Sequence, residues 1–402
     1  MTGGKILAMV WRDGGRRDAV VGAVVGIKGD FALPVRCYPE RAAAVLTVDL
    51  GAIVANWRLL RDRVAPSECA AVVKADAYGL GVARVAPALA AAGCRTFFVA
   101  WIEEALRLRE LLPGATIVSL GGLPVGTEAD HVGQGVIPVL NHLGEIERWR
   151  DQAKRLGRPL SALIHLDTGM NRLGLGPEER AALAAEPDRL AGIEVRAWLT
   201  HYACADDVNH VLTPVQLCRF RLAVAALPPA PTSLANSSGA FWLRAAHGDL
   251  VRPGCALYGV NPTPAQPNPM AAVIRLEGRV LQARAVDSPM TVGYGAAHKV
   301  AGRARIATIA IGYADGYFRA LSGRGQVMAA GTPAPVVGRV SMDLLTIDIS
   351  AAPEGAVVPG DWVEVIGPHR PVDQVALEAG TIGYEVLTAL GKRYHRHYLD
   401  PA

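Results

Sequence analysis

The sequence is poor in the features that mark structural metal, export or a charged-polymer partner. Its six cysteines, Cys37, Cys69, Cys94, Cys204, Cys218 and Cys255, stand apart, with no C-x-x-C pair among them. That spacing argues against a metal knuckle, so no metal is expected, and it favours free thiols in a reducing cytoplasm. The longest apolar stretch near the start, residues 19–27, is about half of what crosses a bilayer as a helix. Arg16 and Arg17 ahead of it faintly suggest a signal peptide, but Lys28 and Asp30 follow at once and no A-x-A site comes close behind. Neither sign of charge dominates: 41 Lys and Arg stand against 37 Asp and Glu, for a net +4, with no polybasic run. Nucleic acid and membrane surfaces are therefore not expected as partners. Internal repeats and low-complexity tracts are also missing.

What is present suits two packed domains. The chain has 402 residues, 51% of them hydrophobic and 19% charged, enough for a large core. From residue 47 to about 258, short apolar runs alternate with helical spacing. Strand-like runs fall at 70–74, 96–100, 116–120, 136–140, 162–167, 195–201, 233–236 and 250–252. Between them, 82–92, 102–112, 145–156 and 216–227 repeat apolar residues every three or four positions. Alternation of this kind predicts a parallel sheet with helices outside. Eight units in roughly 200 residues predict a closed β/α barrel of the TIM type.

After Asn261-Pro262-Thr263-Pro264 the pattern turns to β-like runs at 280–286, 306–311, 336–340, 345–349 and 362–366, separated by Gly and Pro. The expected organisation is an extension over 1–44, a barrel over 45–270 and a mostly β domain over 271–402. The unusual polar residues of the first half, Lys74, Asp167, Arg172, His201, Asn236, Ser237 and Arg252, fall where barrel strands end. Strand ends of a β/α barrel form one rim, where enzyme sites sit.

Lys74 follows an apolar run directly and precedes Ala75-Asp76-Ala77-Tyr78-Gly79-Leu80-Gly81. A lone lysine at a strand end usually reaches to solvent. Here Tyr78 and two glycines predict a tight loop that brings a hydroxyl and backbone towards a phosphate, beside an amine able to form a Schiff base.

The stretch Val73-Lys74-Ala75-Asp76-Ala77-Tyr78-Gly79 resembles the pyridoxal phosphate attachment motif of the alanine racemase family. Further matches follow in the family's order: Asp167-Thr168-Gly169-Met170-Asn171-Arg172, Thr200-His201-Tyr202-Ala203, Ala235-Asn236-Ser237 and Val251-Arg252-Pro253-Gly254-Cys255. The second half adds Gly293-Tyr294-Gly295, Ile311-Gly312-Tyr313-Ala314-Asp315-Gly316, Gly338-Arg339-Val340-Ser341-Met342-Asp343 and Ile382-Gly383-Tyr384-Glu385. The resemblance covers the chain from about residue 45 onward.

The resemblance implies pyridoxal 5'-phosphate carried on Lys74, with Lys74 and Tyr294 as bases on opposite faces of a small amino acid. A free phenol is a poor base at neutral pH, and His201, by hydrogen bonding or positive charge, is the expected help. Arg252 would face the pyridine nitrogen, and a permanent cation there weakens the ring as an electron sink and limits side reactions. Arg172 and a backbone amide of Met342 would bind the substrate carboxylate. Tyr78, Ser237, Gly254, Cys255 and Tyr384 would surround the phosphate, with Asn236 also near the cofactor and Tyr313 and Asp343 in support. A homodimer is implied, with Tyr294 and Met342 acting on the other subunit's site. The activity implied is interconversion of L- and D-alanine, which serves peptidoglycan supply or D-alanine catabolism.

Two positions depart from the family's pattern. His165 stands where many members have a lysine, often carbamylated, and Ser341 stands where cysteine is common. Three alternatives remain open at this point. A non-catalytic pyridoxal phosphate-binding protein would lack the second domain, and a decarboxylase of basic amino acids would lack this motif set. A racemase of serine, or of a broad range of amino acids, would share every motif, because pocket size is not written in them.

Overall fold

The computed structural model describes residues 40–401 except Leu243, and, in the N-terminal extension, the paired strands Ala8–Met9 and Ala19–Val20. The rest of residues 1–39, with most of the apolar stretch 19–27 and Cys37, lies outside the described residues, whereas 40–44 of the expected extension are described and Ala44 already begins a strand.

Apolar runs between helical stretches form a closed ring of parallel strands. Its members are Glu68–Cys69 continuing to Ala71–Val72, then Thr96–Val99, Thr116–Ser119, Val136–Leu140, Leu160–His165, Ile193–Leu199, Thr232–Ser233 and Leu250–Val251. Each pairs with the next in parallel from Ala71–Val72 to Thr232–Ser233. Leu250–Val251 closes the ring by pairing with Glu68–Cys69, and Arg252 N–H donates to the Ala235 carbonyl at 2.9 Å. This is the expected β/α barrel.

The helices outside follow from local signals. In Leu50–Val64 the buried Ile53, Trp57, Leu60 and Val64 recur every three or four residues, and the Asp49 carboxylate caps the Ala52 N–H at 2.8 Å. Leu143–Leu156 buries Ile146, Trp149 and Ala153 and ends at Gly157 in the left-handed conformation.

The second domain is mostly β, as its Gly- and Pro-punctuated pattern predicts. Its long strand Ile274–Val286 pairs with Trp362–Ile366 over its first half and with Ala304–Ile309 over its second. Leu345–Asp348, Thr332–Val337 and Gln326–Ala329 complete a closed path between those two partners. The sheet also takes in Ala44–Asp49, which precedes the barrel in the chain, and the last strand, His395–Leu399. Two short helices, Val372–Ala379 and Gly383–Ala389, lie within this half; each spans about two turns, too short to leave a clear sequence period. One apolar core runs through both domains.

Candidate active site

The barrel rim opens on a cavity of about 740 Å³, a size that suits a cofactor with a small substrate. Lys74, Tyr78, Arg172, His201, Asn236, Ser237, Arg252, Gly254, Cys255 and Tyr384 all line it. His165 lines it as well. The helix Gly383–Ala389 brings Tyr384 there from the second domain.

Lys74 does not end a strand. The strand stops at Val72, and Ala75, Asp76, Ala77 and Tyr78 turn left-handed, with φ of 53°, 55°, 54° and 54°. Such backbone costs about 1–2 kcal/mol per residue outside glycine, and strain of this kind concentrates at functional sites. Ala77 N–H closes the turn on the Val73 carbonyl at 2.9 Å, and Gly79 N–H on the Ala75 carbonyl at 2.8 Å. Burial, and after it the Arg172 cation, holds the Lys74 amine below its ordinary pKa, while the Glu104 carboxylate lifts it. Its neutral, nucleophilic form is thus easier to reach than that of a free lysine.

Arg252 is almost fully buried. Its guanidinium donates to Ser233 Oγ, to the Thr200 carbonyl at 2.8 Å and to the Leu234 carbonyl at 3.3 Å, and one nitrogen lies 3.4 Å from His201 Nδ1. None of these partners is a carboxylate. Burial pushes its pKa down to about 10, so it stays charged at neutral pH. For His201 the sequence leaves hydrogen bonding or positive charge open, and its surroundings exclude the charge. Burial, then Arg252, Arg172, His165 and Lys74, drive it well below its ordinary value. It is neutral, so of the two only hydrogen bonding is open to it.

His165 is neutral too. Burial, then Arg252, lowers its pKa to about 4, with Arg172 acting in the same direction against Asp167. Asn141 Nδ2 donates to the Val139 carbonyl at 2.9 Å, which leaves Asn141 Oδ1 to accept from His165 Nδ1 at 2.9 Å. That arrangement protonates Nδ1 and leaves Nε2 as an acceptor. Arg172 stands on a loop folded around Asp167 Oδ1, which accepts from the N–H groups of Gly169, Met170 and Asn171 at 3.0, 2.9 and 3.2 Å.

Another part of the cavity wall is built of hydroxyls and N–H groups. Ser237 Oγ accepts from Gly254 N–H at 2.9 Å and Ala256 N–H at 3.3 Å, leaving its own proton to donate. Tyr78 stacks on Tyr258 with ring centres 4.7 Å apart, and Cys255 Sγ meets the Tyr384 hydroxyl at 2.9 Å. Gly254 is required by space: a Cβ there would lie 2.3 Å from the Tyr78 hydroxyl. An amine at one point, a buried cation without a counter-carboxylate and a cluster of neutral donors together fit pyridoxal phosphate.

Tyr294, Met342, Tyr313 and Asp343 do not line this cavity. Tyr294 is 72% exposed, between left-handed Gly293 and Gly295, and Met342 is 53% exposed. Both lie on neighbouring turns of the β domain, where Gly293 packs against Gly338. Tyr313 N–H donates to the Ser341 carbonyl at 3.0 Å and Ala314 N–H to the Met342 carbonyl at 3.0 Å, zipping two turns together. Arg393 pins them, with Nε donating to Asp315 at 2.9 Å and a terminal nitrogen to Asp343 at 2.7 Å. Ser341 closes its own turn: its hydroxyl donates to the Leu344 carbonyl at 2.7 Å.

Comparison with known proteins agrees with this geometry. Residues 48–262 match the family model described as "Alanine racemase, N-terminal domain", and 273–398 match "Alanine racemase, C-terminal domain". An alanine racemase of Rhodospirillum rubrum is 48% identical over 363 residues, covering 90% of this chain and 97% of the relative. A catabolic alanine racemase of Agrobacterium fabrum is 47% identical over 361 residues, covering 90% of this chain and 93% of the relative. Among solved structures, an alanine racemase from Bartonella henselae with covalently bound pyridoxal phosphate has a TM-score of 0.87 and 44% identity, covering 89% of this chain and all of that one. A biosynthetic alanine racemase from Pseudomonas aeruginosa has a TM-score of 0.82 and 36% identity, covering 89% of this chain and 99% of that one. The matched models, relatives and structures agree across both domains: the chain belongs to the alanine racemase family.

Proposed function

We propose that the protein interconverts L- and D-alanine with pyridoxal phosphate held on Lys74. The observation that carries this reading is the Lys74 amine, poised on a strained turn in a cavity it shares with Arg252, Arg172 and a hydroxyl-lined end. When bound, the cofactor supplies an electron sink that acidifies the substrate's α-hydrogen. Lys74 Nζ, whose amine gives up its charge more readily than a free lysine's, takes or returns that proton on one face. The Tyr294 hydroxyl serves the other face. Because Tyr294 and Met342 stand exposed and apart from their own chain's cavity, the reading places them in the cavity of a second subunit, in a homodimer.

Within one subunit the remaining residues divide the labour. Arg172 orients the carboxylate, with neutral His165 Nε2 as an acceptor in the same pocket. Arg252 would set its positive charge against the ring nitrogen and so keep that nitrogen unprotonated. Ser237, Gly254, Cys255, Tyr78 and Tyr384 hold the phosphate, with Asn236 beside them. Asp343, tied to Arg393, supports the turn of Met342, and Tyr313 supports it from the zipped neighbour turn.

Among the described residues no helix is long and apolar enough to cross a membrane. Cys69, Cys94, Cys204, Cys218 and Cys255 are free thiols, which supports a reducing cytoplasmic setting.

Two measurements test the proposal. Borohydride reduction of the yellow protein is expected to bleach its visible band and leave a stable adduct that peptide mapping finds on Lys74; an adduct on another lysine removes the central assignment. Racemisation assayed across a panel of amino acids is expected to show the highest kcat/KM with alanine. Equal or greater kcat/KM with serine, or a flat profile, would replace alanine with the broader substrate range.

A further inference from the structure

The turn that presents Lys74 is made of costly backbone, and its two ends are anchored by different means. At its far end, Asp76 Oδ1 accepts from Val82 N–H at 2.8 Å. Arg396 donates to the Gly79 carbonyl at 2.7 Å, and the Tyr398 hydroxyl to the Leu80 carbonyl at 2.9 Å. At the near end one side chain does the work. Glu104, in the first turn of the helix Ile102–Leu111, accepts from Ala75 N–H through Oε1 at 2.6 Å and from Ala100 N–H through Oε2 at 2.7 Å. An acid in a first turn commonly reaches back to an N–H just ahead of its own helix, which accounts for the Ala100 contact. Capping does not account for the other oxygen. That one leaves the helix and ties down the residue next to Lys74.

We propose that Glu104 is a positioning residue for Lys74: its carboxylate staples the left-handed turn after Ala71–Val72 to the loop after Thr96–Val99, and so sets where the amine stands. Glu104 does not line the cavity, so it acts through the turn and through its charge, without touching substrate. The charged groups that bear on the amine are Arg172 and Glu104, with Arg252 and Glu385 in the same cavity and His165 and His201 neutral. Of the two that bear on the amine directly, Glu104 is the anion. The inference rests on reading Lys74 as the cofactor-bearing residue.

The test compares wild-type, Glu104→Gln and Glu104→Asp holoenzymes. The glutamine keeps one acceptor oxygen but turns an NH2 towards the other N–H, and it removes the charge. The expected result for Glu104→Gln is a kcat about tenfold lower with KM for alanine within about twofold, since the amine and not the carboxylate site is displaced. The pH at which the visible band changes form should fall by about half a unit to one unit, because an anion near the Lys74 nitrogen favours its positive form. Glu104→Asp keeps the charge but is too short to span both N–H groups. Its band transition should stay near wild type while kcat remains depressed. A merely structural residue would lower thermal stability and leave the band transition alone, and that outcome overturns the proposal. If Glu104→Gln does not fold, wild-type kcat in Glu104→Asp overturns it as well. Borohydride mapping of the wild type separates the two readings: an adduct away from Lys74 overturns the attachment itself, whereas an adduct on Lys74 with unchanged Glu104 variants overturns the staple alone.

Discussion

At the scale of single residues, burial decides protonation here more than any local partner does. His165 is the clearest case, since both the cavity and its cationic neighbours oppose its charge, and it titrates at about 4. The unfolded chain, with a histidine near its ordinary value of about 6.5, binds protons that the folded chain refuses between those two pH values. Stability is therefore complete above about pH 6.5 and is lost as the pH falls towards 4. From this residue the loss between pH 7 and pH 5 should be about 2 kcal/mol. Urea midpoints at the two pH values check it: His165→Asn should flatten that part of the pH dependence, and an unchanged slope would show that other groups carry it. The chain itself shows that a histidine occupies position 165. Its tautomer is beyond the reach of sequence, because Asn141 and the Val139 carbonyl fix it from the neighbouring strand and the loop after it. Glu104 was hidden for a similar reason: Glu103-Glu104 at a helix start reads as two solvated acids, and nothing in the order of residues points one of them at Ala75.

At the scale of elements, periodicity gave reliable helices and misjudged the segment proposed to carry the cofactor. The spacing over 82–92 and 102–112 corresponds to the helices Val82–Ala91 and Ile102–Leu111. The run 70–74, in contrast, ends as a strand at Val72 and becomes a left-handed turn. No propensity predicts Ala75, Asp76 and Ala77 there, because that conformation is unfavourable for each of them and is held by the turn's own hydrogen bonds together with tertiary contacts. Gly79 is part of the same device. Its φ is +82°, and a Cβ on it would come within 2.6 Å of the Leu387 carbonyl in the helix that carries Tyr384. Gly79→Ala should thus cost roughly 1–3 kcal/mol in denaturant unfolding and loosen cofactor retention, because the turn and the Tyr384 helix are pushed apart. A variant as stable as wild type that retains cofactor equally on dialysis would show that this contact yields without consequence.

At the scale of the whole molecule, the proposed homodimer makes a prediction that needs no further structure. If Lys74 of one subunit works with Tyr294 of the other, mixing inactive Lys74→Ala and Tyr294→Phe proteins restores one sound site in each mixed dimer. Random exchange should return activity to about a quarter of wild type, since half the dimers are mixed and each has one good site. Labelled subunits must first demonstrate exchange; confirmed mixing without rescue would place both bases in the same subunit.

The sequence alone determined the architecture and most of the cavity wall. Alternating apolar and helical runs are a local signal that burial reads directly, and strand ends of a β/α barrel meet on one rim, so Lys74, His201, Asn236 and Arg252 could be gathered without coordinates. Only the tertiary structure decided the rest. It assigned Ala44–Asp49 to the sheet of the β domain, where it pairs with Ile274–Val286, because strand pairing depends on edges that meet in space and not on order in the chain. It set His201 as neutral, because desolvation comes from the packed surroundings and the charges brought with them. It also held Lys74 on backbone that its own residues disfavour, because hydrogen bonds from distant elements outweigh local preference there.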